Sequence, residues 1–310
     1  MVLSMNETKI KRARLIYNPT AGREGVRKHL AEILEALESV GYETSTYATK
    51  GEGDATRAAE MAVERRYDLV IAAGGDGTVN EVINGLAEKE YRPLLGIIPM
   101  GTSNDFANAI GASKNIHKAL EVLKRGVVKE VDVGKMNDRY FINIAAGGIL
   151  TELSYEVPSK LKTMLGQFAY YVKGVEKIPG LHPVSVTVEA NGQTLNEEVM
   201  LFLVANSHTI AGFDKLAPLA DISDGLFDVI LVRKCNFVEL LRIMTMALRG
   251  EHIRDPKVIH FKTDKLKIRT SEDVGINLDG EFGGNAPCQF QVLKKHLKVI
   301  VSEAESMQKE

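Results

Sequence analysis

Over roughly the first 135 residues, short apolar runs alternate with segments whose apolar positions have helical spacing. Arg14-Leu15-Ile16-Tyr17 predicts a strand, about Gly25 to Val40 a helix, Glu43 to Ala48 a second strand, and a further helix follows from Asp54. Leu69 to Ala73, Thr78 to Ala87 and Leu94 to Pro99 continue the series as strand, helix and strand. Strands separated by helices imply βαβ crossovers and a mostly parallel sheet. From about residue 130 the pattern becomes hairpin-like. Val184-Ser185-Val186-Thr187-Val188 alternates, Asn191-Gly192 has the chemistry of a type I′ turn, and Val199 to Val204 returns. The helical exceptions in this mainly β half are about Lys160 to Lys177 and Phe237 to Arg249. In the latter, Leu240, Leu241, Met244 and Leu248 mark a core-facing stripe.

With 310 residues, 45% of them hydrophobic, the chain exceeds the size at which one core usually divides. The expected fold is an α/β N-terminal domain over 9–138 and a larger, mainly β domain over 139–302, with the C-terminal tail packing back on the first domain as an option. The 39 basic and 41 acidic residues nearly cancel, so charge gives no support for a nucleic-acid partner. Cys235 and Cys288 match no zinc or CxxC spacing and fit a reducing cytoplasm. The polar N-terminus lacks the apolar core of a signal peptide. No window reaches the ~18 consecutive apolar residues of a membrane span; the nearest, Phe141 to Leu150, is interrupted by Asn143, Gly147 and Gly148.

Gly74-Gly75-Asp76-Gly77-Thr78 stands between a predicted strand and helix, at the carboxyl end of the sheet, where open α/β folds bind ligands. Glycines admit phosphate oxygens close to the backbone, and a helix N-terminus offers unpaired N–H groups. The stretch is neither GxGxxG nor GxxxxGK[ST], and taken alone it reads equally well as an Asp-Gly turn. Tyr17-Asn18-Pro19-Thr20-Ala21-Gly22-Arg23 and Pro99-Met100-Gly101-Thr102-Ser103-Asn104-Asp105 end strands at the same edge. Thr20 or Ser103 alone would serve as a helix cap, but three such loops on one edge predict a nucleotide site.

The segments "YNPTAGRE", "GGDGTVNEVINGL" and "GTSNDFA", followed near the C-terminus by "NLDGE", resemble the signature segments of the diacylglycerol-kinase catalytic family, in its soluble bacterial branch. The resemblance covers nearly the whole chain. It implies an α/β nucleotide-binding domain, a β-sandwich domain, and ATP-dependent phosphorylation of a lipid hydroxyl in the cleft between them. Within the three loops it implies nucleotide contacts from Asn18, Pro19, Thr20, Ala21, Gly22, Gly74, Gly75, Asp76, Gly77, Thr78, Asn80, Glu81 and Thr102, with Thr49 beside the adenosine. Some relatives carry lysine where this chain has Arg23, which keeps a cation there.

Phosphoryl transfer needs an in-line hydroxyl, a metal that offsets charge, and a proton acceptor. Asp76 is the best-placed carboxylate for organising Mg²⁺ and the phosphates, and Asp132 is expected to extend its water network. If Ile276 to Glu281 is extended, Asp279 and Glu281 share a face and like charge raises one pKa; an Asp-Gly turn is the alternative. The resemblance assigns the general base to Glu281, with Asp279 in support. Ala220 to Leu226 reads alone as a capped turn, although one carboxylate plus carbonyls is adequate for Mg²⁺. The resemblance implies a structural Mg²⁺ there, held by the Asp224 side chain and the carbonyls of Asp221 and Leu226.

Sphingoid-base kinases carry Ser-Gly-Asn and a small residue where this chain has Thr102-Ser103-Asn104-Asp105-Phe106. The Asn-Asp pair resembles diacylglycerol kinases and favours a glycerolipid. The alternatives are another lipid, such as phosphatidylglycerol or a sphingoid base, an NAD-kinase-like activity, and a non-catalytic nucleotide-binding regulator. The expected setting is the cytoplasm, with peripheral attachment to the inner membrane face during turnover; a homodimer is left open.

Overall fold

The computed structural model describes residues 10–22, 25–148, 182–209 and 215–303. Arg23 and the helix expected near Lys160 to Lys177 lie outside the described residues. Contacts divide the chain into two units, Met1–Glu130 with Leu297–Glu310, and Val131–His296.

In the first unit β1 (Lys11–Tyr17), β2 (Tyr42–Ala48), β3 (Leu69–Gly74) and β4 (Leu94–Pro99) form a parallel sheet in the order β4-β3-β1-β2. All six residues of β3 are buried, as expected of a parallel strand covered on both faces. The helices are α1 (Gly25–Lys28), α2 (Leu30–Glu38), α3 (Asp54–Glu64), α4 (Asp76–Leu86), α5 (Asp105–Ala109) and α6 (Ile116–Arg125). Ile33, Ala36 and Leu37 of α2 and Ile116, Leu120 and Leu123 of α6 pack on Leu15, Leu69 and Ile71 of the strands. The helix expected over Gly25 to Val40 is two pieces, because His29 leaves helical geometry at φ −106° and ψ 10°. Since β1 lies between β2 and β3, successive connections leave it in opposite directions. This switch point opens a crevice at the carboxyl ends of β1 and β3.

The second unit is mainly antiparallel. β8 (Val184–Ala190) and β9 (Gln193–Ala205) form a hairpin through Asn191 and Gly192. Their φ values of 52° and 74° are the two left-handed positions of a type I′ turn. β9 also pairs with β7 (Ile144–Gly148) and β10 (Phe227–Arg233), and β10 with β11 (Val258–Thr263). β12 (Lys265–Thr270) lies between β8 and β15 (Cys288–Val301). β13 (Gly275–Leu278) joins β7 to the edge strand β14 (Glu281–Asn285). The core is centred on Phe141, Phe202, Phe227 and Phe290. Phe141 stacks on Phe227 at 5.5 Å and meets Phe290 edge-on at 6.2 Å, geometries that favour aromatic pairs. A further helix, α7 (Phe237–Ala247), starts on an Asn236/Glu239 capping box and buries Leu240 and Ile243. At the chain's end, Val299 of β15 pairs with Leu95 of β4 within the first unit.

Candidate nucleotide site and catalytic residues

The loops that follow β1, β3 and β4 meet at the carboxyl edge of the parallel sheet. The N–H of Asn18 donates to Ala73 O at 3.0 Å, and that of Met100 donates to Gly74 O at 2.8 Å. Thr49, after β2, joins the same edge through its N–H to Tyr17 O at 2.9 Å. Gly75 and Gly101 are in direct backbone contact. A Cβ on Gly101 would sit 2.6 Å from Gly75 Cα and 2.8 Å from Asn104 Oδ1, so no other residue fits without moving a loop. The first loop is shaped by Asn18, whose Oδ1 accepts the Thr20 N–H at 3.0 Å and hydroxyl at 2.8 Å. Ala21 N–H closes the turn on Asn18 O at 3.2 Å.

Helix α4 begins at Asp76, two residues before the expected start, because Gly75 is extended and serves as N-cap without any side-chain hydrogen bond. Its first-turn N–H groups, from Asp76 to Thr78, therefore have no capping side chain, and they suit a phosphate. Asp76 also binds the third loop. Its Oδ2 accepts Asn104 N–H at 2.8 Å and its Oδ1 accepts Asp105 N–H at 2.6 Å, which caps the start of α5 with a negative charge. Asn104 is almost fully buried and left-handed, and its side chain closes on both backbone groups of Gly101 at 2.7 and 2.8 Å. Lys114 donates to Thr102 O at 2.7 Å. Asn104 and Lys114 were absent from the expected site. The "SNDF" spacing could have signalled the first, while nothing local signals the second.

Two expected contacts have other partners. Asn80 Oδ1 accepts from Asn84 at 2.9 Å, one helical turn on. Glu81 Oε2 accepts Ala55 N–H at 2.9 Å, which ties α4 to the first turn of α3.

In the second unit the expectation that Asp279 and Glu281 share an extended face is corrected. Asp279 and Gly280 have φ values of 50° and 100°, so β13 and β14 are joined by a tight hairpin in which Leu278 pairs with Glu281. The alternation of Ile276, Leu278 and Gly280 continues through a turn that needs two left-handed residues, and Asp-Gly supplies them. The Asp279 carboxylate turns to the start of β7, where Ile142, Asn143 and Ile144 donate their N–H groups to it. Glu281, the first residue of β14, is exposed.

Asp132 is fully buried. Its oxygens accept Gly225 N–H at 2.7 Å and Lys295 N–H at 2.6 Å, so this carboxylate fastens the Asp221 to Leu226 loop to β15 instead of ordering water beside Asp76. Burial pushes its pKa up; the two N–H bonds oppose the shift, and the charges of Asp224 and Asp221 add to it. In the loop, Asp221 Oδ1 accepts Ser223 N–H at 3.0 Å and Leu226 N–H reaches Asp224 Oδ1 at 2.9 Å. Lys262 lies 2.7 Å from Asp224 Oδ2 and 3.2 Å from Asp228 Oδ2. Burial alone would depress the Lys262 ammonium, but bonding to Asp224 and the charges of both aspartates carry its pKa upward. Four aspartates around one lysine leave an acid excess. Among the described residues no group of three or more His, Cys, Asp or Glu side chains is arranged to hold a metal. A divalent ion would therefore rest on one carboxylate and carbonyl oxygens, a hard-oxygen donor set that fits Mg²⁺.

A polar groove of about 630 Å³ in the second unit takes in none of these residues. Two of its cations are matched by carboxylates, Arg233 by Glu197 at 2.9 Å and Arg269 by Glu189 at 2.6 Å, which makes it a poor receptor for a polyphosphate. Among the described residues no helix is long and apolar enough to cross a membrane.

Comparison with known proteins matches residues 12–136 to the diacylglycerol kinase catalytic domain and residues 152–301 to the YegS C-terminal NAD kinase beta sandwich-like domain. A diacylglycerol kinase of Bacillus subtilis (strain 168) is 52% identical over 300 residues, covering 96% of this chain and 99% of its own. One from Staphylococcus aureus (strain MRSA252) is 51% identical over 290 residues, covering 94% and 92%. A crystal structure of a diacylglycerol kinase from Bacillus anthracis str. Sterne superposes with a TM-score of 0.79 at 30% identity, over 96% of this chain and 99% of that one. Two family models in succession and relatives about half identical along their whole length lead to one assignment: this chain belongs to the diacylglycerol kinase catalytic domain family.

Proposed function

We propose that the protein transfers the γ-phosphoryl group of ATP, bound as its Mg²⁺ complex, to the free hydroxyl of diacylglycerol, giving phosphatidate and ADP. The observation that carries this reading is the meeting of three loops at the carboxyl edge of the parallel sheet, with the uncapped N-terminus of α4 at their centre. The phosphates lie against the backbone of Gly74, Gly75, Gly77 and Thr78, with the Asn18 to Gly22 turn and Thr102 on either side and Thr49 near the adenosine. Asp76 holds the third loop in register. The lipid oxygen attacks the γ-phosphorus in line, the bond to the β–γ bridging oxygen breaks, and Glu281 takes the hydroxyl proton. Mg²⁺ neutralises charge on the phosphates. Diacylglycerol is favoured over other alcohols by the names of the relatives and by the Asn104-Asp105 pair. The substrate places the protein at a membrane surface during turnover.

The test is a panel of acceptors with labelled ATP: diacylglycerol, phosphatidylglycerol and sphingosine in mixed micelles, and NAD in solution. Diacylglycerol should give the highest kcat/KM; a higher value for any other acceptor replaces it as substrate.

A second Mg²⁺, held by Asp224 and the carbonyls of Asp221 and Leu226, shapes the second unit in this reading. Binding only to the folded state stabilises it, by about 2.7 kcal/mol at 100 times Kd. The melting temperature of the wild type should rise with Mg²⁺ and fall with chelator, and Asp224→Ala should lose that response. A wild-type melting temperature indifferent to both would show that Lys262 alone balances the acid cluster.

A further inference from the structure

The hairpin that carries Glu281 is fastened by the neighbouring carboxylate. Asp279 Oδ2 accepts the N–H of Ile142 at 2.7 Å, and Oδ1 accepts those of Asn143 at 2.9 Å and Ile144 at 2.8 Å. Its own N–H donates to Ile144 O at 3.0 Å. Bonds to an ionised acceptor are about twice as strong as neutral ones, so three on one side chain make an anchor. The segment it grips is itself fixed. Asn143 O accepts N–H groups from Asn206 and Ser207, Asn143 Oδ1 accepts the Ser207 hydroxyl, and Asn206 Nδ2 donates to Asp132 O and Ile142 O. Asn143, Asn206 and Ser207 are all buried. On the other side of the turn, Asn277 Oδ1 accepts Gly280 N–H at 2.8 Å. Glu281 thus follows a two-residue turn held at both positions, one bond away from a rigid knot.

We propose that Asp279 is a positioning residue, which holds Glu281 where the lipid hydroxyl must give up its proton, and that it neither receives that proton nor sets the basicity of Glu281. The proposal rests on the reading of Glu281 as the base. A carboxylate spent on three backbone N–H groups is poorly available as an acceptor, and its removal acts through geometry. Displacing a catalytic group by about 1 Å can cost 10²-fold.

The test is a double-mutant cycle between Asp279→Asn and Glu281→Gln. The asparagine oxygen can still accept from Asn143 and Ile144, but its NH₂ faces the Ile142 N–H and loosens the turn. Asp279→Asn should lower kcat by about 10- to 100-fold, with KM for ATP and the acid limb of the kcat–pH profile unchanged. In the Glu281→Gln background the same substitution should cost less than about 2-fold, because residues that act as a unit are not additive. Additive losses overturn the proposal while leaving the base assignment standing, and so does an acid limb moved to lower pH in Asp279→Asn, which would mark a charge effect on Glu281. An unaltered kcat in Glu281→Gln alone removes the base assignment and the proposal with it. If Asp279→Asn also loses ATP binding and hence its fold, Asn277→Ala loosens the same turn from the opposite side. It should give the same non-additivity at smaller amplitude, and additivity there is equally decisive against the proposal.

Discussion

Glu281→Gln should lower kcat by roughly 10²–10⁴-fold, the usual scale for losing a general base, while ATP affinity barely changes. Glutamine keeps the shape of the side chain at the first position of β14 and removes the basic oxygen. The deficit should shrink when the attacking hydroxyl of the lipid is made more acidic, since an alcohol that gives up its proton readily depends less on the base. Steady-state kinetics with a series of acceptors measures this directly. If Glu281→Gln instead binds ATP far more weakly and turns over normally at saturating ATP, Glu281 is a nucleotide ligand and the base lies elsewhere.

Asp76→Ala should reduce turnover by on the order of 10²-fold or more in a protein that stays folded. The carboxylate makes two charge-assisted bonds to the backbone of Asn104 and Asp105, and it stands at the first position of α4, between the glycines of the phosphate loop. Without it the third loop loses its register against Gly75, and the start of α5 loses its capping charge. Asp76→Asn, which keeps one acceptor oxygen, should fall between alanine and wild type. Circular dichroism and kinetics on both variants make the comparison; near-normal activity in a well-folded Asp76→Ala would remove this residue from the mechanism.

Much of this was legible in the sequence, and the parts that were not share a physical cause. The alternation of apolar runs with helical spacing identified β1 to β4, because strands buried on both faces are apolar throughout. The loops could be placed at one edge because every parallel strand ends at that edge. The Asn191-Gly192 turn was readable from its two residues alone. Asp279-Gly280 has the same chemistry but lies inside a run that alternates, so an extended reading competed with the turn. The donors that settle the position of Asp279 are about 136 residues away in the chain and leave no local trace. Likewise Asp76 meets partners 28 and 29 residues on, and Asp224 meets Lys262 across 38. The break at His29 was hidden because the apolar spacing runs through it without interruption.

The central claim is the transfer of phosphate from ATP to diacylglycerol, and a single-turnover experiment tests it most directly. Purified protein in excess over γ-labelled ATP would be mixed with diacylglycerol in detergent micelles, and the label followed into lipid and inorganic phosphate. The account predicts that the label enters phosphatidate as ADP forms, in equal amounts, and that Glu281→Gln slows its appearance without slowing ATP binding. ATP that binds but leaves diacylglycerol unlabelled, or whose label is released only as inorganic phosphate, would contradict it.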